Sequence, residues 1–154
     1  MSDGSFLFDF DDTTGIVSNY NGAVNPQELN TNGASNYGVE FSVSSRRLYL
    51  STGSFSGATE NLFQYDLTQP TFASINSSRF AVHSYFNTRG ALQLGPDNKI
   101  YWTSDGSPRI SVINNPEELG AAVNYSHQSV DLGGATATQG LPPFLSSLLL
   151  PIEL

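Results

Sequence analysis

The sequence predicts an all-β fold built from four-stranded units of about fifty residues. Three observations carry this prediction. The chain is rich in serine, threonine, asparagine and glycine, and only 13% of its 154 residues are charged, a composition that suits short strands and polar turns better than helices. A strand pair with matching residues occurs twice along the chain. The two ends of the chain resemble complementary parts of one further unit.

The clearest element is a strand pair over residues 90–103. Leu92 and Leu94 alternate with Gln93, and a Pro-Asp-Asn turn leads from them into an Ile-Tyr-Trp run. Alternation, a turn and strand-favouring residues together predict a β-hairpin.

The same pattern occurs upstream, over residues 37–51. Glu40 takes the position of Gln93 in the first strand, and Tyr49 takes the position of Tyr101 in the second. A repeat of about fifty residues is typical of proteins built from arrays of one structural unit.

Each hairpin is followed by a third strand, and a fourth strand completes the unit. The third strands are predicted at 6–11, 61–68 and 109–116. The fourth strands are predicted at 16–20, 79–86 and 129–132. The chain thus begins at a third strand, whereas residues 140–150 resemble a first and a second strand, so the two ends together make another unit.

Units of this size are typical of the blades of a β-propeller, whose last blade is commonly closed by strands from both termini. The sequence predicts one domain over residues 1–154, with blades at 37–88, at 89–137, and at 138–154 joined to 6–36. A β-sandwich with chance similarity between its strands is the competing fold.

The number of blades is low. Three blades are fewer than the four to eight of most propellers. The chain is therefore a fragment of a larger ring, an unusually small closed ring, or one half of a homodimer that completes six blades.

Charge and composition limit the partners that we expect. Asp and Glu number 14 against 6 Lys and Arg, which gives a formal net charge of −8. Nucleic acids and anionic membrane surfaces need a basic face, so neither is an expected partner. No apolar run has the length of a membrane span, and no signal-peptide pattern is visible. Cysteine is absent, which excludes thiolate catalysis and cysteine-ligated metals.

Four segments in order, residues 37–42, 90–101, 112–116 and 140–144, resemble a known group of proteins. They are similar to the propeller-like repeat region of large secreted or cell-surface proteins of Bacteroidetes. Those proteins often also carry PKD domains and a gliding-motility-type (type 9) sorting domain. The resemblance implies an extracellular β-propeller used for recognition or adhesion, and it supplies no catalytic residues.

Five polar or aromatic residues are the candidate ligand contacts. Glu40 and Gln93 lie on the first strands of their blades, which in propellers run nearest the central channel. They are expected either to line a polar pocket or to satisfy backbone groups around a wet channel. Tyr37, Arg89 and Gln139 are predicted on loops at one mouth, where arginine offers directional donors and tyrosine a stacking face for an anion or a carbohydrate.

One group of carboxylates has a pattern that suits calcium. Its members are Asp9, Asp11 and Asp12, because alternating carboxylates are oxygen ligands of the kind that this ion prefers. The alternative is a turn over residues 12–15, with side-chain hydrogen bonds and a positive φ at Gly15. Apart from this calcium hypothesis, no metal site or cofactor is predicted.

The remaining histidines and aromatic residues are predicted to be structural. His83 and His127 are placed in outer strands and lack the spacing of a metal site. The aromatic residues predicted to pack between blades are Phe80, Tyr85, Phe86 and Trp102.

Three kinds of function remain open from the sequence. The preferred one is a non-enzymatic module that binds a protein or a glycan through loops at one mouth of the ring. A second is a small structural protein, or a packaged cargo or effector of a non-classical secretion system, since no export signal is visible. A third is a propeller hydrolase or lyase, which would need paired carboxylates, whereas the repeat equivalent of Glu40 is Gln93.

Overall fold

The computed structural model describes residues 4–53, 58–87 and 89–141. In this part of the chain the fold is all-β, with three antiparallel sheets of three, four and four strands and one short α-helix. The predicted fold class is therefore confirmed at the level of an all-β chain made of antiparallel sheets.

The first sheet has three strands, and the first of them in the chain lies between the other two. β1 (Ser5–Asp11) turns sharply into β2 (Ile16–Asn19), close to the predicted bounds. β3 (Gln27–Leu29) was not predicted and pairs with the first three residues of β1. Residues 140–150 were predicted to supply the first and second strands of this unit, and residues 142–150 lie outside the described residues.

The second sheet is a four-stranded meander in chain order. It consists of β4 (Asn36–Phe41), β5 (Arg47–Thr52), β6 (Ala58–Asp66) and β7 (Phe80–Asn87). The helix α1 (Phe72–Ser77) lies between β6 and β7 and was not predicted. It begins at Thr71, whose side chain forms a reciprocal cap with Ser74.

The third sheet repeats this meander. It consists of β8 (Leu92–Leu94), β9 (Ile100–Trp102), β10 (Arg109–Ile113) and β11 (Tyr125–Asp131). β11 begins four residues before the prediction of 129–132. The register shifts within β11 and Gln128 has a φ of 44°, so the strand lacks the regular alternation that the prediction relied on.

Strand register agrees with the predicted repeat. Glu40 pairs with Tyr49 in the second sheet, and Gln93 pairs with Tyr101 in the third. These are the positions that the two sequence segments have in common, so the repeat is a structural one in these two sheets.

The three sheets stack in chain order, with the second sheet between the other two. On one side, Leu48, Phe63 and Tyr65 form a core with Leu29 of β3, and Leu7 of β1 packs against it. On the opposite side, a separate core joins residues of the second and third sheets: Tyr49, Leu62, Leu92, Ile100, Trp102, Ile113 and Val123.

Hydrogen bonds fix the second sheet to the third. Gln64 is buried in β6; its Nε2 donates to the Glu118 carbonyl at 2.6 Å, and its Oε1 accepts from the Gly120 amide at 2.9 Å. The Tyr49 hydroxyl donates to the Pro116 carbonyl at 2.9 Å. A buried amide that serves both a donor and an acceptor of the neighbouring layer holds the two sheets in one position.

The predicted packing role of the aromatic residues is only partly correct. Trp102 is fully buried and Tyr85 packs against the same core. Phe86 is 76% exposed and Phe80 is partly exposed, although both lie on the same strand, β7, as Tyr85. None of the helices in the described part of the chain has the length and apolar character of a membrane span.

Candidate functional site

Three of the predicted ligand contacts come together. The Arg89 guanidinium lies over the Tyr37 ring, with its carbon 4.7 Å from the ring centroid. Arg89 Nε donates to Gln139 Oε1 at 3.0 Å. These residues, which we call the Tyr37 cluster, come from β4, from the segment before β8 and from the segment after β11. Tyr37 is the second residue of β4 rather than part of a loop.

Backbone contacts hold the cluster in place. The Gln139 carbonyl accepts from the Ala91 amide at 2.8 Å and from Thr103 Oγ1 at 3.1 Å. Next to Arg89, a Cβ on Gly90 would lie 1.8 Å from the Thr103 carbonyl oxygen, so only glycine fits there. The Arg89 and Gln139 backbones therefore approach each other across the end of the third sheet.

A cavity of about 180 Å³ adjoins Tyr37. It lies between β1 and β4, and its walls include Ser5, Asn36, Tyr37, Val39 and Leu50. The first sheet supplies one wall and the second sheet the other. A stacked arginine beside such a cavity can supply directional donors to an oxygen-rich ligand.

Glu40 serves the backbone of the neighbouring sheet. Its Oε2 accepts from the Leu94 amide at 2.9 Å, and its Oε1 accepts from the Phe41 amide at 2.9 Å. Of the two roles predicted for Glu40, the structure shows the satisfaction of backbone groups. The carboxylate attaches β4 to the edge of β8.

Gln93 faces away from the second sheet. Its neighbours Leu92 and Leu94 pack into the core between the second and third sheets, so alternation directs Gln93 to the opposite face. It is half-buried and lies opposite Tyr101. Glu40 and Gln93 are thus equivalent in register but lie on faces of two successive sheets, and they do not share one pocket wall.

Comparison with protein-family models, with curated proteins and with solved structures returned no match. The resemblance to repeat regions of Bacteroidetes surface proteins therefore stays a prediction.

The carboxylates of the calcium hypothesis each have local partners. Asp11 Oδ1 accepts from the amides of Thr13 and Thr14. A hydrogen bond from the Thr14 side chain, followed by these two backbone bonds, lowers the pKa of Asp11. Asp9 Oδ2 accepts from the Asn21 amide at 2.6 Å. The turn is the predicted kind, with Gly15 at a φ of 73°, but Asp11 rather than Asp12 makes its backbone bonds. Among the described residues, no three acidic or histidine side chains converge in a way that could hold a metal ion.

A second polar group was not predicted from the sequence. Glu60 of β6 is fully buried, on the face directed toward the third sheet, and neither of its carboxyl oxygens has a hydrogen-bond partner among the described residues. Burial raises the pKa of Glu60 to about 8, although the nearby Tyr85 hydroxyl opposes the shift. Glu60 is therefore mainly a neutral carboxylic acid at pH 7.

Glu60 lies directly behind the Tyr37 cluster. A Cβ on Gly53 would lie 2.8 Å from Glu60 Oε1 and 2.5 Å from Arg89 Cβ. Gly53 thus leaves room for both side chains, and a larger residue would displace one of them. The Tyr37 cluster thus has a cation, Arg89, next to an uncharged acid, Glu60.

Two histidines join the outer strands of the second and third sheets. The His83 and His127 rings are 4.6 Å apart between centroids, and Tyr125 lies 4.7 Å from His83. Tyr85 contacts Trp102 edge-on at 5.2 Å and hydrogen-bonds to the Ser104 hydroxyl. Burial lowers the pKa of both histidines, and the charge of His127 lowers that of His83 further. The outer-strand placement of the histidines is confirmed.

Proposed function

We propose that this chain is a non-enzymatic recognition module that binds an acidic glycan through the Tyr37 cluster. The observation that carries the proposal is the convergence of Tyr37, Arg89 and Gln139 from three segments beside the 180 Å³ cavity. Arginine offers a planar fork of donors to a carboxylate, and the Tyr37 ring beneath the guanidinium holds this fork in one orientation. Arg89 is already held by Tyr37 and Gln139 within the chain. This lowers the entropic cost of ordering its side chain when a ligand binds.

We further propose that the three sheets are successive blades of a β-propeller. Chain-order meanders, the shared register of Glu40 and Gln93, and the stacking of each sheet on the next support this interpretation. In such a ring the Tyr37 cluster lies at one mouth, where the segments between blades meet. The resemblance to surface proteins suggests an extracellular position for the module.

The test is binding to an array of neutral and carboxylate-bearing glycans. The wild-type chain is expected to bind carboxylate-bearing members, and Arg89→Ala is expected to lose tenfold or more in affinity, since it removes both the charge and the stacked contact. Tyr37→Ala is expected to lose a similar factor.

Arg109→Ala is the matched control. It removes one positive charge that is half-exposed and paired with Asp131 at 3.0 Å in the third sheet, and it is expected to change the affinity by less than twofold. An array without bound glycans would refute the proposal, as would equal losses in the Arg89→Ala and Arg109→Ala variants. Capture of a protein partner that depends on Arg89 would assign the cluster to protein recognition instead.

A further inference from the structure

The first sheet has an uncovered aromatic face. Phe6, Phe8 and Phe10 alternate along β1 and therefore lie on one face, and Val17 joins them because it pairs with Phe10. The three phenylalanines are 47%, 45% and 67% exposed, and Val17 is 62% exposed. A contiguous apolar surface of this kind marks a site of interaction. We call it the phenylalanine face.

The repeat shows what covers this face elsewhere in the stack. The sequence Leu-Phe-x-Phe-Asp of β1 corresponds to Leu-Phe-x-Tyr-Asp of β6, which places Phe8 and Phe10 over Phe63 and Tyr65. Phe63 and Tyr65 pack against the first sheet. Ile113, the register equivalent of Tyr65 in the third sheet, packs against the second sheet. At both steps this face is covered by the preceding sheet.

The third sheet ends the stack with the complementary face. Tyr101, Gln93 and Ile110 lie on its side away from the second sheet and are half-buried. Val112, which pairs with Tyr101 on the same side, is buried. The second-sheet register equivalents of the three half-buried residues are Tyr49, Glu40 and Leu62, all of which contact the third sheet. The third sheet thus presents the kind of face that covers the next sheet, and within the described residues no next sheet follows.

We propose that the phenylalanine face receives the outer face of the third sheet of a second copy of this chain. The contact continues the interface that already joins the first sheet to the second and the second to the third. It is a head-to-tail contact, since different surfaces of the two copies meet.

Two such contacts, made reciprocally, close a ring of six sheets. A ring of six lies within the four to eight blades of closed propellers, whereas three sheets do not. The inference rests on the interpretation of the sheets as successive blades. It is independent of any ligand of the Tyr37 cluster.

The test is the mass in solution, measured by analytical ultracentrifugation at about 10–100 μM. The wild-type chain is expected at twice the chain mass of 16.6 kDa. Phe10→Asp is expected at the chain mass, because the substitution places a charge in the middle of the contact. Phe86→Asp is the matched control: it changes a phenylalanine of the second sheet that is more exposed than Phe10, and it is expected to keep the wild-type mass.

A mixing experiment tests the head-to-tail arrangement. Ile110→Asp, on the outer face of the third sheet, is expected at the chain mass when alone. An equimolar mixture of Phe10→Asp and Ile110→Asp is expected to form a pair, since each variant retains the surface that the other needs. Gln93→Lys on the same outer face replaces Ile110→Asp if circular dichroism shows that the latter is unfolded.

Two results would overturn the proposal. A wild-type chain at 16.6 kDa throughout this range would mean that something else covers the phenylalanine face, such as residues 142–154 or a different protein. A dimer that Phe10→Asp dissociates but neither Ile110→Asp nor Gln93→Lys affects would mean that two phenylalanine faces meet each other. Both results leave the glycan-binding test of Arg89 unaffected, so the two proposals can fail separately.

Discussion

At the scale of single residues, Glu60 links stability to pH. Its folded-state pKa of about 8 lies above the ordinary value of 4.5, so the folded chain binds a proton that the unfolded chain has released between these two values. The stability that this proton supports is complete below about pH 4.5 and is lost as the pH rises through 8. At pH 7 the raised pKa of Glu60 lowers the free energy of unfolding by about 3 kcal/mol relative to its value at low pH.

Glu60→Gln is expected to remove this dependence, because an amide of the same shape does not titrate. The free energy of unfolding of the wild-type chain is expected to fall between pH 5 and pH 8 relative to that of the variant. Urea titrations at several pH values measure the difference. Parallel pH profiles for the two chains would show that Glu60 is ionised, or solvated, in the folded state.

The two histidines have the opposite sign. The pKa of His83 and that of His127 are lowered in the folded chain, so stability is present above the unfolded value of about 6.5 and is lost as the pH falls toward the folded values. His83→Phe keeps a ring between Tyr125 and His127 and removes a buried ring nitrogen that has no hydrogen-bond partner within the described part of the chain. The variant is expected to lose less stability than the wild type between pH 6.5 and pH 5 in thermal melts; an unchanged loss would assign the acid sensitivity to other groups.

At the scale of elements, the connection between the second and third sheets depends on Gln64. Gln64→Leu keeps the volume of the side chain but leaves the Gly120 amide and the Glu118 carbonyl without their partner. We expect a loss of about 3 kcal/mol in the free energy of unfolding.

Gln27→Leu is the control for Gln64→Leu. It removes a local bond of 2.9 Å to the exposed Asn25 carbonyl in the first sheet, and we expect a change within about 0.5 kcal/mol. Chemical denaturation measures the free energy of unfolding of both variants. If the two lose the same amount, the hydrogen bonds of Gln64 do not stabilise the contact between the sheets more than an exposed local bond stabilises the chain.

Elements whose side chains alternate regularly were predictable from the sequence. The pairing of Gln93 with Tyr101 follows from the alternation around it. β3 was missed because three residues show no period and its partner β1 lies some twenty residues earlier. α1 was missed because its six residues are shorter than the window in which a helical period is visible.

The candidate site was predictable only in part, for a related reason. Tyr37, Arg89 and Gln139 could be predicted because each lies near the start of a repeated strand. The alignment of the repeats brings these strand starts to the same end of their sheets. Glu60 has no sequence signal of its own, because its burial results from a neighbouring sheet rather than from its own strand. A mixed pattern of Glu, Leu and Gln on one face of β6 gives no indication that this face is covered.

At the scale of the whole molecule, the stack has two different ends. The Tyr37 cluster, the cavity beside it and Glu60 all lie where one sheet meets the next. The affinity for a ligand at this place therefore depends on how adjacent sheets are positioned. The phenylalanine face and the outer face of the third sheet lie at the ends of the stack. The mass measurement and the binding measurement therefore examine separate surfaces of the same chain.

The position of β5 in the middle of the stack has a consequence for the ancestry of this fold. All six of its residues, Arg47–Thr52, are buried, since one face meets the first sheet and the other meets the third. A strand without a solvent face has no position at which substitutions accumulate freely. Distant relatives are therefore expected to retain this hexapeptide in recognisable form while their loops diverge.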